Sequence, residues 1–155
     1  MIQLTFTPPP AKEYVDLRIR AGMGNKDLAR SAIALQNSLF TVCLYDGDLL
    51  VAFGRIVGDG GITYVVSDIM VDAAYRRRGY AEQVMQQIDL YFEQHTYEDS
   101  IICLIANQPA GQLYHNTNLT ICPLTKPGCC EGRPHRLPPQ KRRPHEPRYF
   151  IGDSV

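Results

Sequence analysis

The sequence predicts an α/β fold: a mixed central sheet flanked by helices. Three observations carry this. Segments of strand and helix periodicity follow one another in the order β-α-α-β-β-β-α-β-α. Two apolar runs, Ile62–Val71 and Ser100–Ala106, read as strands buried within a sheet. Between them an amphipathic helix begins directly after a glycine, placing Ala81, Val84, Met85, Ile88, Tyr91 and Phe92 at helical spacing.

Each element has its own signal. Ile2–Thr7 alternates as a short strand and is stopped by Pro8-Pro9-Pro10. Residues 11–22 form a helix whose apolar side carries Tyr14, Val15, Leu17 and Ile19. Asn25 is the expected N-cap of a second helix over 26–36, with Leu28, Ile33 and Leu35 facing inward. Leu39–Tyr45 and Leu49–Val57 form a β-hairpin turning at Asp46-Gly47. Gly58-Asp59-Gly60-Gly61 turns the chain into the long strand 62–71, and Pro109 suits the first turn of a helix after strand 100–106.

At 155 residues and 45% hydrophobic, the chain is long enough to bury one core. No apolar run is long enough to span a membrane, and the first residues lack the pattern of a signal peptide. Five cysteines without framework spacing point to a reducing, cytoplasmic setting. The zero net charge conceals a split. Residues 1–122 carry nine Lys+Arg against thirteen Asp+Glu, while residues 123–155 carry seven against three and seven of the eleven prolines. The expected organisation is therefore a domain over 1–122 and a Pro/Arg-rich irregular tail over 123–155, in which only Arg148–Ile151 reads as a short strand. The Cys and His residues fit no compact zinc pattern, so no metal is expected.

The segment Asp68-Ile69-Met70-Val71-Asp72-Ala73-Ala74-Tyr75-Arg76-Arg77-Arg78-Gly79-Tyr80-Ala81 is built to hold an anion. The first amides of a helix have no partner within it and point outward. The helix dipole adds positive charge there, so a phosphate is held by both effects. Gly79 permits close backbone approach, and the three arginines supply phosphate contacts. A solvated basic cluster or a nucleic-acid patch is the alternative for the arginines alone.

Arg76-Arg77-Arg78-Gly79-Tyr80-Ala81 fits Arg/Gln-x-x-Gly-x-Gly/Ala, and so resembles the acetyl-CoA pyrophosphate loop of the GCN5-related N-acetyltransferase (GNAT) family. Asp68-Ile69-Met70-Val71 resembles that family's splayed central strand. Asn107-Gln108-Pro109-Ala110-Gly111-Gln112-Leu113-Tyr114 resembles its Asn-x-x-Ala-x-x-Leu-Tyr segment. The resemblance covers roughly residues 38–115.

It implies a fold in which strands 64–71 and 100–106 diverge around the pantetheine arm. The cofactor-binding set is then Ile69, Met70, Val71, Arg76, Arg77, Arg78, Gly79, Tyr80, Ala81 and Asn107, with acetyl-CoA as co-substrate. Tyr114 is the candidate acid for the departing thiolate. Asp68, a charge in an apolar strand, either serves the incoming ammonium or pairs with Arg18, Arg20 or Arg55. The implied partner is an amine on a small molecule or peptide, and a homodimer is compatible with this.

After Tyr114 the resemblance fails: Asn118-Leu119 stands where the family has Gly-Phe, and the closing hairpin is expected to be altered or missing. A divergent tail and a shifted reading frame both account for this. The rival functions are an acyl-CoA-binding pseudoenzyme with a defective acceptor side, and nucleic-acid binding through the basic tail.

Overall fold

A computed structural model of the chain describes residues 1–107, 120–122 and 149–154, with side chains to Leu104. The elements are β1 (Ile2–Thr5), α1 (Ala11–Arg20), α2 (Leu28–Gln36), β2 (Phe40–Asp46), β3 (Leu49–Gly58), β4 (Thr63–Val71), α3 (Tyr80–His95), β5 (Ile101–Asn107), β6 (Thr120–Cys122) and β7 (Tyr149–Ser154). One short 3₁₀ turn, Ala73–Tyr75, lies between β4 and α3. The strands form one mixed sheet in the order β1-β2-β3-β4-β5-β7-β6. β1, β2, β3 and β4 are antiparallel to one another in succession, and β4 and β5 are parallel.

The sheet separates two cores. On one face α3 lays Val84, Met85, Ile88 and Phe92 over Val42, Leu44, Val51, Ile56, Tyr64, Val66, Ile102 and Leu104. Each large side chain buried there contributes about 2 kcal/mol. On the other face α1 and α2 bury Tyr14, Val15, Leu17 and Leu35 against Cys43, Leu50, Phe53 and Met70. Strand alternation sends Val42 and Leu44 to the first core and Cys43 to the second.

Local chemistry corrects several boundaries. Asp27, not Asn25, caps α2, accepting a hydrogen bond from the Arg30 amide at 2.9 Å. The hairpin turns at Gly47-Asp48, with Gly47 at φ +60°. Ile19, Leu28 and Ile33, expected to face inward, are 53%, 51% and 60% exposed. In α1 the inward position one turn after Tyr14 is taken by Arg18, which is buried.

The short strand expected at Arg148–Ile151 is β7, Tyr149–Ser154, which lies parallel to β5 from Ile102↔Tyr149 to Asn107↔Ser154. The apolar run Tyr149-Phe150-Ile151 has the composition of a strand. β6 pairs with β7 in parallel. A two-strand hairpin is antiparallel by construction, so β6 and β7 are two strands without being a closing hairpin. The rest of the tail, 123–148, lies outside the described residues.

Candidate active site at the β4–β5 fork

β4 and β5 pair from Thr63↔Ile101 to Val66↔Leu104 and then part, although β4 continues to Val71 and β5 to Asn107. Among the described residues no strand covers the β5-side edge of Ser67–Val71. Just before the last residues of β4 the register with β3 slips: Arg55 lies opposite Ser67, but Phe53 lies opposite Met70. Gly54 therefore faces two residues, Asp68 and Ile69, and Asp68 adopts the left-handed φ of +57°. This is a β-bulge, which bends a strand and increases its twist.

The turn beyond β4 leads to the N-terminus of α3. Gly79, the N-cap, has φ +80°, and a Cβ built on it meets nothing within 4 Å. Gln83 donates the first helical hydrogen bond to the Gly79 carbonyl at 2.9 Å. The amides of Tyr80, Ala81 and Glu82 precede it and have no acceptor within the helix. Arg77 is also left-handed, at φ +60°. Left-handed residues in a turn swing successive amides toward a common side, the geometry of an anion nest.

Side chains brace this turn from below. Asp72 is buried; it accepts from the Ala74 amide at 2.9 Å and from Arg20 Nε at 2.5 Å. Arg76 donates to the carbonyl of Ala21, the C-cap of α1, at 2.7 Å, where a cation is favoured by the helix dipole. Arg78 stacks over the Tyr75 ring at 5.0 Å, and Tyr75 donates to Asp46 at 3.0 Å.

A sequence model of the acetyltransferase (GNAT) family matches residues 7–117. The chain belongs to this family. The GNAT chain has no match among curated proteins. Among solved structures, a probable acetyltransferase from methicillin-resistant Staphylococcus aureus is 38% identical, with a TM-score of 0.71 over 74% of this chain and 86% of that one. A GNAT-family acetyltransferase from Streptococcus pneumoniae is 26% identical, with a TM-score of 0.53 over 63% and 77%. The ribosomal-protein-S18-alanine N-acetyltransferase of Escherichia coli shares the fold at 16% identity, with a TM-score of 0.52 over 61% of each chain.

In this GNAT chain the sequence-predicted residues fall as follows. Ile69, Met70 and Val71 line the free stretch of β4, and Arg76, Arg77, Arg78, Gly79, Tyr80 and Ala81 form the turn and first helical residues. Asn107 ends β5, on the other limb of the fork. Tyr114 lies outside the described residues. Sequence reasoning missed Tyr75 and Asp72 as braces. It offered Arg20 as a partner for Asp68, whereas Arg20 pairs with Asp72; no local signal links residues 52 positions apart.

Asp68 itself is fully engaged. One carboxylate oxygen accepts from Arg18 Nη1 at 2.6 Å; the other accepts from Arg55 Nε at 2.7 Å and the Tyr14 hydroxyl at 2.8 Å. Burial pushes its pKa up, but the Arg55 charge and hydrogen bond, the Tyr14 hydrogen bond and the Arg18 charge outweigh this and hold it below the ordinary value. Such a carboxylate is a poor proton acceptor, which argues against the expected role toward the ammonium. Asp72 behaves alike: burial raises its pKa, but the Ala74 amide and Arg20 lower it further. Cys43 offers no nucleophile, since burial and then the Glu13 charge push its thiol to about 12. Among the described residues no group of three His, Cys, Asp or Glu is placed to hold a metal, and no helix is long and apolar enough to cross a membrane.

Two depressed carboxylates fix an acid limit. Their folded pKa values lie below the ordinary 3.8, so their stabilisation is complete above that value and is lost as pH falls through the folded values. The urea midpoint is expected to be level from neutral pH to about pH 5 and to drop steeply below about pH 4. A midpoint that rises on acidification through this window contradicts both ion pairs.

Proposed function

We propose that this chain is an acetyl-CoA-dependent N-acetyltransferase, moving acetyl directly to a primary amine of a small molecule or peptide in a reducing cytoplasmic setting. The reading rests on one juxtaposition: a glycine-capped helix N-terminus stands directly beyond the strand that leaves its neighbour. The space in front of Gly79 suits a pyrophosphate, and the bare edge of β4 suits the amides of a pantetheine arm.

In this reading acetyl-CoA supplies an activated thioester. The amides at the start of α3 and the arginine turn bind its pyrophosphate. The edge at Ile69–Val71 and Asn107 align the arm, and alignment supplies the largest share of rate enhancement. A backbone N–H at Met70 or Val71 stabilises the charge that develops on the carbonyl oxygen. Tyr114 returns a proton to the sulfur. The amine attacks the thioester itself, with no acyl-enzyme in between; Cys43, its thiol pushed up to about 12, would make a poor carrier.

Thiol release from acetyl-CoA, measured against a panel of small amines and peptide N-termini, tests this: release that depends on an added amine supports it. Binding without release with any amine supports the second reading, an acyl-CoA-binding pseudoenzyme. That reading is favoured by the parallel β6–β7 pair, which stands where an antiparallel closing hairpin is expected. Tyr114→Phe is expected to lower kcat about tenfold while leaving acetyl-CoA affinity nearly unchanged, since the proton matters chiefly in the transition state. Unaltered kcat across pH removes Tyr114 from the mechanism.

A further inference from the structure

We propose that Asp68 is a positioning residue: held by Arg18, Arg55 and Tyr14, its carboxylate locks the β4 bulge and thereby aims the Ile69–Val71 edge at the acyl donor. This rests on the acetyltransferase reading above and adds to it what holds the fork open.

Facing parity along β4 carries the argument. Tyr64 and Val66 point into the α3 core. Simple alternation would send Asp68 and Met70 after them, among Val84 and Ile88. Instead Met70 lies in the α1–α2 core, Ile69 and Val71 pack on the α3 side, and Asp68 meets α1. The bulge has exchanged the two faces of the strand. An ionised carboxylate in the α3 core would be unpaired and desolvated, so Asp68 opposes the regular register, and its three donors reward the bulged one.

The donors are themselves anchored. Arg55 also donates to the Ala34 carbonyl at 3.0 Å and Ser38 Oγ at 3.3 Å in the α2 segment, and Arg18 to the Met23 carbonyl at 3.1 Å. The bulge is thus tied to the α1–α2 layer two residues past the last β4–β5 pair, Val66↔Leu104. Ile69, which follows the bulge at Asp68, fills the space above Gly54.

The test compares Asp68→Asn, Arg55→Gln and the double variant for acetyl-CoA affinity by calorimetry, and for kcat against pH. Asn keeps the size and tolerates the left-handed φ but removes the charge. Because an ångström of misplacement costs on the order of 100-fold in rate, both single variants are expected to weaken acetyl-CoA binding by about tenfold or more. The double variant should be no worse than either single, as for two halves of one interaction. The pH profile should keep its limbs. Loss of the acidic limb in Asp68→Asn, with Arg55→Gln binding acetyl-CoA normally, makes Asp68 a base and overturns the proposal.

Tyr14→Phe removes one donor and no charge, and guards against loss of the fold. It should bind acetyl-CoA about twofold to threefold more weakly, in keeping with one modest hydrogen bond; unchanged affinity in the folded variant overturns the proposal. If the wild type binds no acetyl-CoA, the acetyltransferase reading fails separately. Amide exchange at residues 69–71 then decides: faster in Asp68→Asn than in wild type supports the lock, and equal rates overturn it.

Discussion

Gly79→Val is expected to abolish the rise in melting temperature that acetyl-CoA produces, while the variant remains folded. Two effects combine at φ +80°. A β-branched residue in the left-handed region costs about 1–2 kcal/mol, which for a chain of this size lowers the melting temperature by about 2–8 °C. The second effect concerns the ligand. A Cβ at this position meets nothing in the free protein, so the side chain has room without acetyl-CoA and occupies the approach to the α3 amides with it. Wild type with acetyl-CoA at one hundred times Kd gains about 2.7 kcal/mol by mass action. Differential scanning fluorimetry with and without acetyl-CoA separates the two effects. A variant with a lowered baseline and an undiminished acetyl-CoA shift would move the pyrophosphate away from this turn.

Gly54→Val is expected to destabilise the sheet strongly. A Cβ there would stand 2.6 Å from Ile69 Cδ1, 2.6 Å from Val84 Cγ1 and 3.3 Å from Ile88 Cδ1. Val84 and Ile88 are completely buried and cannot retreat without lifting α3 from the sheet. Overpacking of this kind costs about 1–3 kcal/mol, and the γ-methyls of valine place it at or above the upper end. Urea unfolding is the measurement: a midpoint lower by a corresponding amount with little change in slope. Because the displaced Ile69 belongs to the free edge of β4, the folded fraction should also bind acetyl-CoA more weakly. Wild-type stability in Gly54→Val would mean that α3 does not pack against this stretch of β3.

How much of this was legible in the sequence differs by element. The α3 face was legible because four of its six predicted apolar positions are buried, and a long helix against a sheet obeys its own periodicity. The helix start at Gly79 was legible because helix ends have a fixed chemistry. The face of α1 was misread at Ile19, because a buried arginine took an inward position that hydrophobicity alone denies it. Asp68 was visible as an anomaly, but its partners were not, since Arg18 is 50 residues away and the choice among three arginines depends on register. The bulge was invisible for the same reason: a strand's parity can be read, but a change of parity is set by its neighbours. At the site, Asn107 is placed by the backbone of β5, and Tyr114 lies beyond the described residues.

The cluster around Asp68 also bears on how this chain can change over generations. Removing one partner of a buried ion pair leaves the other uncompensated, at a cost of about 3–5 kcal/mol, whereas replacing the whole group with well-packed apolar residues is often neutral. That is a large share of the about 5–15 kcal/mol by which most domains are stable. Positions 18, 55 and 68 are therefore not three independent sites under mutation. Single steps away from the present charges pass through a markedly less stable protein, and the route to any alternative requires several substitutions arriving together. Descendants of this chain should keep the three charged residues as a block or abandon them as a block.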